Sequence, residues 1–224
     1  MKLFLAVPLT VVAAALGVSV GAAGASSPLS VAPTSAHAGS AGSVVASAVG
    51  PKLASNTVFF SNLGPGGSFQ HGGWCVTGAT AGCTGRFDIA MPFVPSVNGR
   101  VTRIDIAITN LSGPNSATVL LAQDDGSGLP GHVLGSWPIS NQPAIGVSCC
   151  PTTVSLPVSI AIGARRTYWV IARAGTTSTW DNWNWNYAGT QGPYAYSTDG
   201  TSWNYANSTI GAFDVIGCSG VCHT

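Results

Sequence analysis

Glutamate is absent from this 224-residue chain: all seven acidic residues are Asp, and only 7% of residues are charged. Soluble domains usually carry about 25% charged residues, so Ser, Thr, Asn and Gly must supply most of the polar surface. Those types favour turns and strands over helices. Without Glu no His-Glu-x-x-His metalloprotease motif can form, and no Gly-x-Ser-x-Gly nucleophile elbow occurs in residues 56–224. Concentrated positive charge is missing too. The formal net charge is +1, and losing Lys2 with a leader brings it to zero. Lys52, Arg86, Arg100, Arg103, Arg165, Arg166 and Arg173 are scattered among Asp residues. Nucleic-acid binding needs a basic field that releases counterions, so nucleic acids and highly anionic polymers are excluded as partners, while neutral surfaces remain open.

What is present begins with an address. Met1-Lys2 followed by an apolar stretch from Leu3 to Ala23 reads as a signal peptide spanning residues 1–25, cleaved after Ala25, with Ala36-His37-Ala38 as an alternative or later site. Pro8 and the Gly/Ala-rich second half argue against a retained anchor. Residues 26–55 are Ser, Ala, Gly, Pro and Val with little bulk, a flexible linker. Residues 56–224 are then one domain, long enough to bury about 70% of its unfolded surface without a metal. No later run is long enough to span a bilayer, so the mature chain is expected to be secreted, extracellular and not inserted in a membrane.

Export decides how to read the six cysteines. In an oxidising compartment an even count implies disulfides, though six allow 15 full pairings. Cys75 and Cys83 flank a Gly/Thr/Ala turn and are expected to join locally. Cys149 and Cys150 are adjacent, and Cys218 and Cys222 close the chain, so one or two bridges from the former to the latter would clamp the end. Zinc shared by these residues and His223 is the competing reading, which the compartment disfavours. The Cys218-x-x-x-Cys222-His223 spacing does not fit haem attachment. No cofactor is expected.

From Asn56 onward short apolar runs are broken every 8–12 residues by Gly, Pro, Asn or Asp, the pattern of an all-β sandwich or barrel. The expected strands are Thr57–Ser61, Gly73–Thr77, Arg86–Phe93, Arg100–Thr109, Ala117–Gln123 and Val133–Ile139. They continue with Thr152–Leu156, Thr167–Arg173, Thr179–Tyr187, Tyr194–Ser197 and Ala212–Ile216. Ile104, Ile106 and Ile108 share a buried face, with Arg103 and Asp105 on a wet one. Tyr168-Trp169-Val170-Ile171 is apolar on both faces and should be a central strand. No sustained helical spacing occurs. The fold predicted is a two-sheet antiparallel β-sandwich, jelly-roll-like.

The most unusual segment runs from Thr179 to Tyr187. On a strand Trp183, Trp185 and Tyr187 would line one face, with Asn182, Asn184 and Asn186 on the other. Two readings stand side by side. In one the aromatics fill the core and the Asn residues face water, as the weight of large aromatics in core energetics favours. In the other Trp180, Trp183, Trp185 and Tyr187, with Asn184, stack on sugar rings and hydrogen-bond their hydroxyls, which requires an exposed aromatic patch.

Other constellations carry less. Ser197-Thr198-Asp199-Gly200-Thr201-Ser202-Trp203 resembles the Asp-box hairpin of sialidases and other exported glycan-related proteins, one residue short and lacking its second Gly. That box is structural: its Asp caps a turn and its Trp packs inward. Asp124 and Asp125 are a weak Ca²⁺ candidate without EF-hand spacing, and an exposed turn is the favoured alternative. No metal site is expected. Paired carboxylates such as Asp88 and Asp181 are the form an acid–base hydrolase would take, and nothing in the sequence selects that pair over another.

Together, Phe60 to Phe69, Val101 to Ala107, Asp124 to Gly131, Gly163 to Val170, Trp180 to Asn186, Tyr196 to Trp203 and Ala212 to Gly217 resemble the choice-of-anchor R family of exported bacterial proteins. The resemblance spans about Val58 to Gly217. It implies a surface or extracellular-matrix β-sandwich, and it brings no cofactor, catalytic residue or enzymatic activity. The sequence departs from the family pattern in ending without an anchor and in adding cysteines. The leading expectation is a non-catalytic extracellular binding module for neutral polysaccharide. A structural or matrix protein that meets other surface proteins comes next, and a glycan-active hydrolase third.

Overall fold

Strand formation tracks the apolar runs in the computed structural model, which describes residues 56–220 and Cys222. The expected signal peptide, the linker with both cleavage sites, and His223 lie outside the described residues. The strands are β1 (Asn56–Ser61), β2 (Gly73–Thr77), β3 (Asp88–Phe93), β4 (Gly99–Ile106), β5 (Ile108–Ser112), β6 (Ser116–Asp124) and β7 (Pro130–Ser140). They continue as β8 (Thr152–Ile162), β9 (Tyr168–Ala174), β10 (Trp180–Asn184), β11 (Gln191–Ser197), β12 (Asn204–Thr209) and β13 (Phe213–Cys218). Among the described residues the helical content is one short 3₁₀ turn, Pro65–Gly67.

The strands make an antiparallel two-layer sandwich. One layer is a six-stranded sheet ordered β12-β11-β3-β9-β6-β7. The other combines β1-β13-β4-β8 with β2-β10-β5. These two sheets are joined where β4 runs into β5: Ala107 receives a backbone hydrogen bond from Asn184, and its own N–H donates to Ala212. That kink divides the strand expected as Arg100–Thr109.

One core cluster draws alternate residues from both layers. Ile89, Met91, Phe93, Val119, Leu121 and Val170 come from the six-stranded sheet; Ile104, Ile106, Val154, Trp183, Phe213 and Val215 come from the opposite layer. Ile104, Ile106 and Ile108 are fully buried, as their alternation predicts. The opposite face is less wet than expected. Asp105 is buried, holding Thr153 Oγ1 at 2.7 Å and pairing with half-exposed Arg103 at 3.1 Å.

Strand β9 is central, between β3 and β6, and both its faces are covered. Tyr168 and Val170 point into the main core. Trp169 and Ile171 belong to a second cluster with Ala90, Leu120, Ala122 and Ala195, roofed by Leu129 and Trp203. Two Asp-built turns supply that roof. Asp124 accepts the indole N–H of Trp169 at 3.0 Å and the backbone N–H of Gly126 at 2.8 Å. Asp199 accepts the N–H groups of Thr201 and Ser202, both at 2.7 Å, which holds its carboxyl well below the usual range. The Asp-box-like hairpin therefore does what its resemblance implies.

Cys75 and Cys83 are bridged, as expected from the turn between them. The expected links from Cys149 or Cys150 to the chain end are not made. Cys218 closes on Cys222 instead, and Cys149 and Cys150 remain exposed and unbridged. Spacing could not decide this, because the reach between loops depends on the sheet order that brings them near or apart.

Candidate functional site

The aromatic segment folds around β10, which lies between β2 and β5 in the smaller sheet. Its expected one-sided row does not form. Trp183 is fully buried, its ring edge-on to Phe213 at 5.7 Å and its indole N–H donating to the Ala212 carbonyl at 3.0 Å. Trp180 is half-buried against Gly82 in the disulfide loop. Regular pairing of β10 stops at Asn184, so Trp185 turns to lie over Gly72, in a place that leaves no room for a side chain there. Tyr187 is 57% exposed. Trp183 is thus unavailable to a ligand, and the four aromatics do not share a platform.

The Asn residues correct the other half of that reading, since they do not face water. Asn184 is fully buried: its amide donates to the carbonyls of Gln70 and His71 and its oxygen accepts from Thr109. Asn186, also buried, ties Thr190 and Ile210 together in the same way. Irregular backbone next to a core needs partners for its carbonyls and N–H groups, and these amides provide them. Neither Asn184 nor Asn186 is offered to a ligand.

The remaining candidates are also accounted for. Both Asp125 carboxylate oxygens are engaged by Ser127, and Asp124 is spent on the turn and on Trp169. No group of three or more metal-ligating side chains occurs among the described residues. Asp88 is fully buried between two guanidinium groups, Arg86 at 2.8 Å and Arg173 at 2.7 Å, and Arg173 also donates to the Gly200 carbonyl of the Asp199 hairpin at 3.1 Å. Asp181 lies buried on β10, receiving Asn110 at 2.8 Å, and burial pushes its carboxyl up to about 6.

A groove that the sequence reading did not single out gathers a different set of aromatics. It encloses about 680 Å³ and is lined by Trp74 and Cys75 of β2, Cys83, Phe87, Ile89 of β3, Tyr194 and Tyr196 of β11, Thr198, and Ala206 of β12. One wall comes from the smaller sheet and the other from the six-stranded sheet, so the groove opens between the layers. Trp74 stacks on Tyr194 with centroids 4.3 Å apart, and its indole N–H is fixed by the Thr209 carbonyl at 2.7 Å. Tyr196 bridges Tyr194 and Phe87 at 6.3 and 6.2 Å. Trp185 reaches this group indirectly, edge-on to Trp74 at 6.2 Å. The Cys75–Cys83 bridge forms part of the wall.

The lining holds no Asp, Glu, Lys, Arg or His, and its side-chain polar atoms are mainly the hydroxyls of Tyr194, Tyr196 and Thr198. An open trough with apolar ring faces and a few neutral hydroxyls suits a neutral ligand with apolar faces and a polar rim. Tyr194 and Tyr196 share a face by simple alternation, which the sequence could have revealed. Nothing in their spacing points to Trp74, more than a hundred residues away.

Fold and groove together define an antiparallel β-sandwich with an aromatic cleft between its layers. Comparison with protein-family models and with curated proteins finds no match. Among the described residues no helix is long and apolar enough to cross a membrane.

Proposed function

We propose that this protein is a secreted, non-catalytic extracellular module that binds neutral glycan in the groove between Trp74, Phe87, Tyr194 and Tyr196. The observation that carries the reading is a cleft walled by aromatic side chains and free of charged ones. The leader-like start and the disulfides support export into an oxidising medium. The resemblance to the choice-of-anchor R family, which we take as kinship, points to the same compartment. The test is retention of the purified protein on insoluble cellulose, chitin and xylan, with Tyr196→Ala beside the parent chain. Retention on one of them, reduced at least tenfold in the variant with an unchanged melting temperature, supports the reading. Absence of retention on every neutral polysaccharide ends it.

A structural or matrix role is the second reading, favoured by β12. That strand ends the six-stranded sheet, pairs on one side with β11, and carries Tyr205 at 60% exposure. An unpaired edge is a template for strand addition between copies. Concentration-dependent growth in light scattering, abolished by Asn207→Pro, would favour it over the groove.

A further inference from the structure

All six cysteines of the chain are accounted for: four form the two bridges, and Cys149 and Cys150 remain. Neighbouring residues of an extended chain direct their side chains to opposite sides, so adjacent cysteines do not ordinarily meet. These two do. Cys150 adopts a left-handed backbone with φ of 70°, and the two sulfur atoms approach to 2.7 Å. The segment around them is anchored on both sides. The Ser148 carbonyl accepts the N–H of buried Phe69 at 2.8 Å, and Pro151 leads into β8 while packing near Gly67. Both residues are exposed, and no other cysteine in the sequence is left to pair with them.

We propose that Cys149 and Cys150 are a modification site, an adjacent dithiol that exchanges with small-molecule disulfides and closes into a vicinal disulfide. The steps balance without a metal or enzyme. The thiolate of one cysteine attacks a sulfur of an oxidised low-molecular-weight disulfide such as glutathione disulfide, breaking its S–S bond and releasing one thiolate. The second cysteine, as thiolate, then attacks the protein sulfur of that mixed disulfide, forming the Cys149–Cys150 bond and expelling the second small thiol. Two protein S–H bonds are lost and one S–S bond is gained; the two electrons and two protons appear as two molecules of reduced small thiol. The preset approach of the sulfurs makes the second step intramolecular, so the mixed disulfide is short-lived. Mutual hydrogen bonding between the sulfurs already pushes the Cys149 thiol up from its ordinary value.

The experiment uses the full-length secreted protein held in glutathione buffers of increasing oxidised fraction, quenched by acid, alkylated under denaturing conditions and mapped by mass spectrometry. In reduced buffer Cys149 and Cys150 should both be alkylated while Cys75–Cys83 stays bridged. In oxidised buffer the peptide carrying both residues should resist alkylation, be two hydrogens lighter than the dithiol, and come from monomer. Cys149→Ser and Cys150→Ser should each instead retain one glutathione. As a second readout, phenylarsine oxide should bind the reduced parent chain one to one and be lost from either single variant. A stable adduct with two glutathiones on the parent chain, thiols that stay alkylatable in oxidised buffer, or a disulfide-linked dimer as the main product would each overturn the proposal.

Discussion

Two aromatic clusters occupy the space between the layers, and they differ in how completely they are closed. In the inner one Phe60 stacks on Phe213 at 4.5 Å, Trp183 and Phe93 meet Phe213 edge-on, and Phe93 stacks on Tyr168 at 5.7 Å. Its polar atoms are consumed internally: the Trp183 N–H by Ala212 and the Tyr168 hydroxyl by the N–H of Gly163. In the outer one Trp74 stacks on Tyr194, and Tyr196 lies tilted against both Tyr194 and Phe87, with these side chains lining an open trough. The forces within the two clusters are alike. What separates them is their solvent boundary, since Phe93, Tyr168, Trp183 and Phe213 are buried while the outer rings line an open trough. The difference teaches that aromatic content alone does not mark a binding surface. Its solvent boundary does.

The comparison can be broken most severely from the inside. Trp183→Ala removes a fully buried indole with its hydrogen bond and should destabilise the fold by about 3–5 kcal/mol, read as a large fall in melting temperature. If the melting temperature moved by only a degree or two, the inner cluster would be no better sealed than the groove. A smaller effect comes from Asp181 at the opposite end of β10. Its folded carboxyl is raised from 3.8 to about 6, so between those values the folded state holds a proton that the unfolded chain has released. Stability should therefore fall as pH rises across that window and be highest below it, by at most about 3 kcal/mol for a shift of this size. Comparing Asp181→Asn with the parent chain in urea titrations at several pH values isolates this contribution from the other carboxylates. Equal pH slopes for the two proteins would mean that water reaches Asp181.

Much of this architecture is legible in the residues. Alternation at Ile104, Ile106 and Ile108 gives the buried face, and the two-sided apolar run at Tyr168–Ile171 gives the central strand, because burial is written in local periodicity. Strand β12 escapes that reading. Asn204-Tyr205-Ala206-Asn207-Ser208-Thr209 is mostly polar, as suits a sheet edge, and its strand character comes from pairing with β11 rather than from its own pattern. The kink at Ala107 and the continuation of β8 to Ile162 depend likewise on partners distant in sequence. The candidate site is legible only in fragments. Trp180 to Tyr187 draws attention by composition, yet its Asn residues are needed to satisfy loop backbone. Trp74 becomes functional in prospect only because packing of the two layers sets its ring on Tyr194 of β11.

The outer cluster offers the next, intermediate test. Trp74→Ala removes the ring stacked on Tyr194 and its hydrogen bond to Thr209, so it should abolish glycan retention. Because one face of the ring already borders open space, the loss of stability should be smaller than for Trp183→Ala. Equal losses would place Trp74 with the core and leave the groove without a platform of its own.

The smallest effect is expected at Tyr187, and it sharpens the boundary between the two clusters. Its ring is mostly exposed, touches Gly64 in the turn after β1, and is not among the residues that line the groove. Surface side chains away from caps, cores and networks typically change stability by within about 0.5 kcal/mol. Tyr187→Ala should therefore leave both the melting temperature and polysaccharide retention essentially unchanged, measured beside Trp74→Ala on the same matrix. If Tyr187→Ala lost retention while Trp74→Ala kept it, the ligand would sit on the loop surface beyond β10, and the groove between the layers would be packing alone.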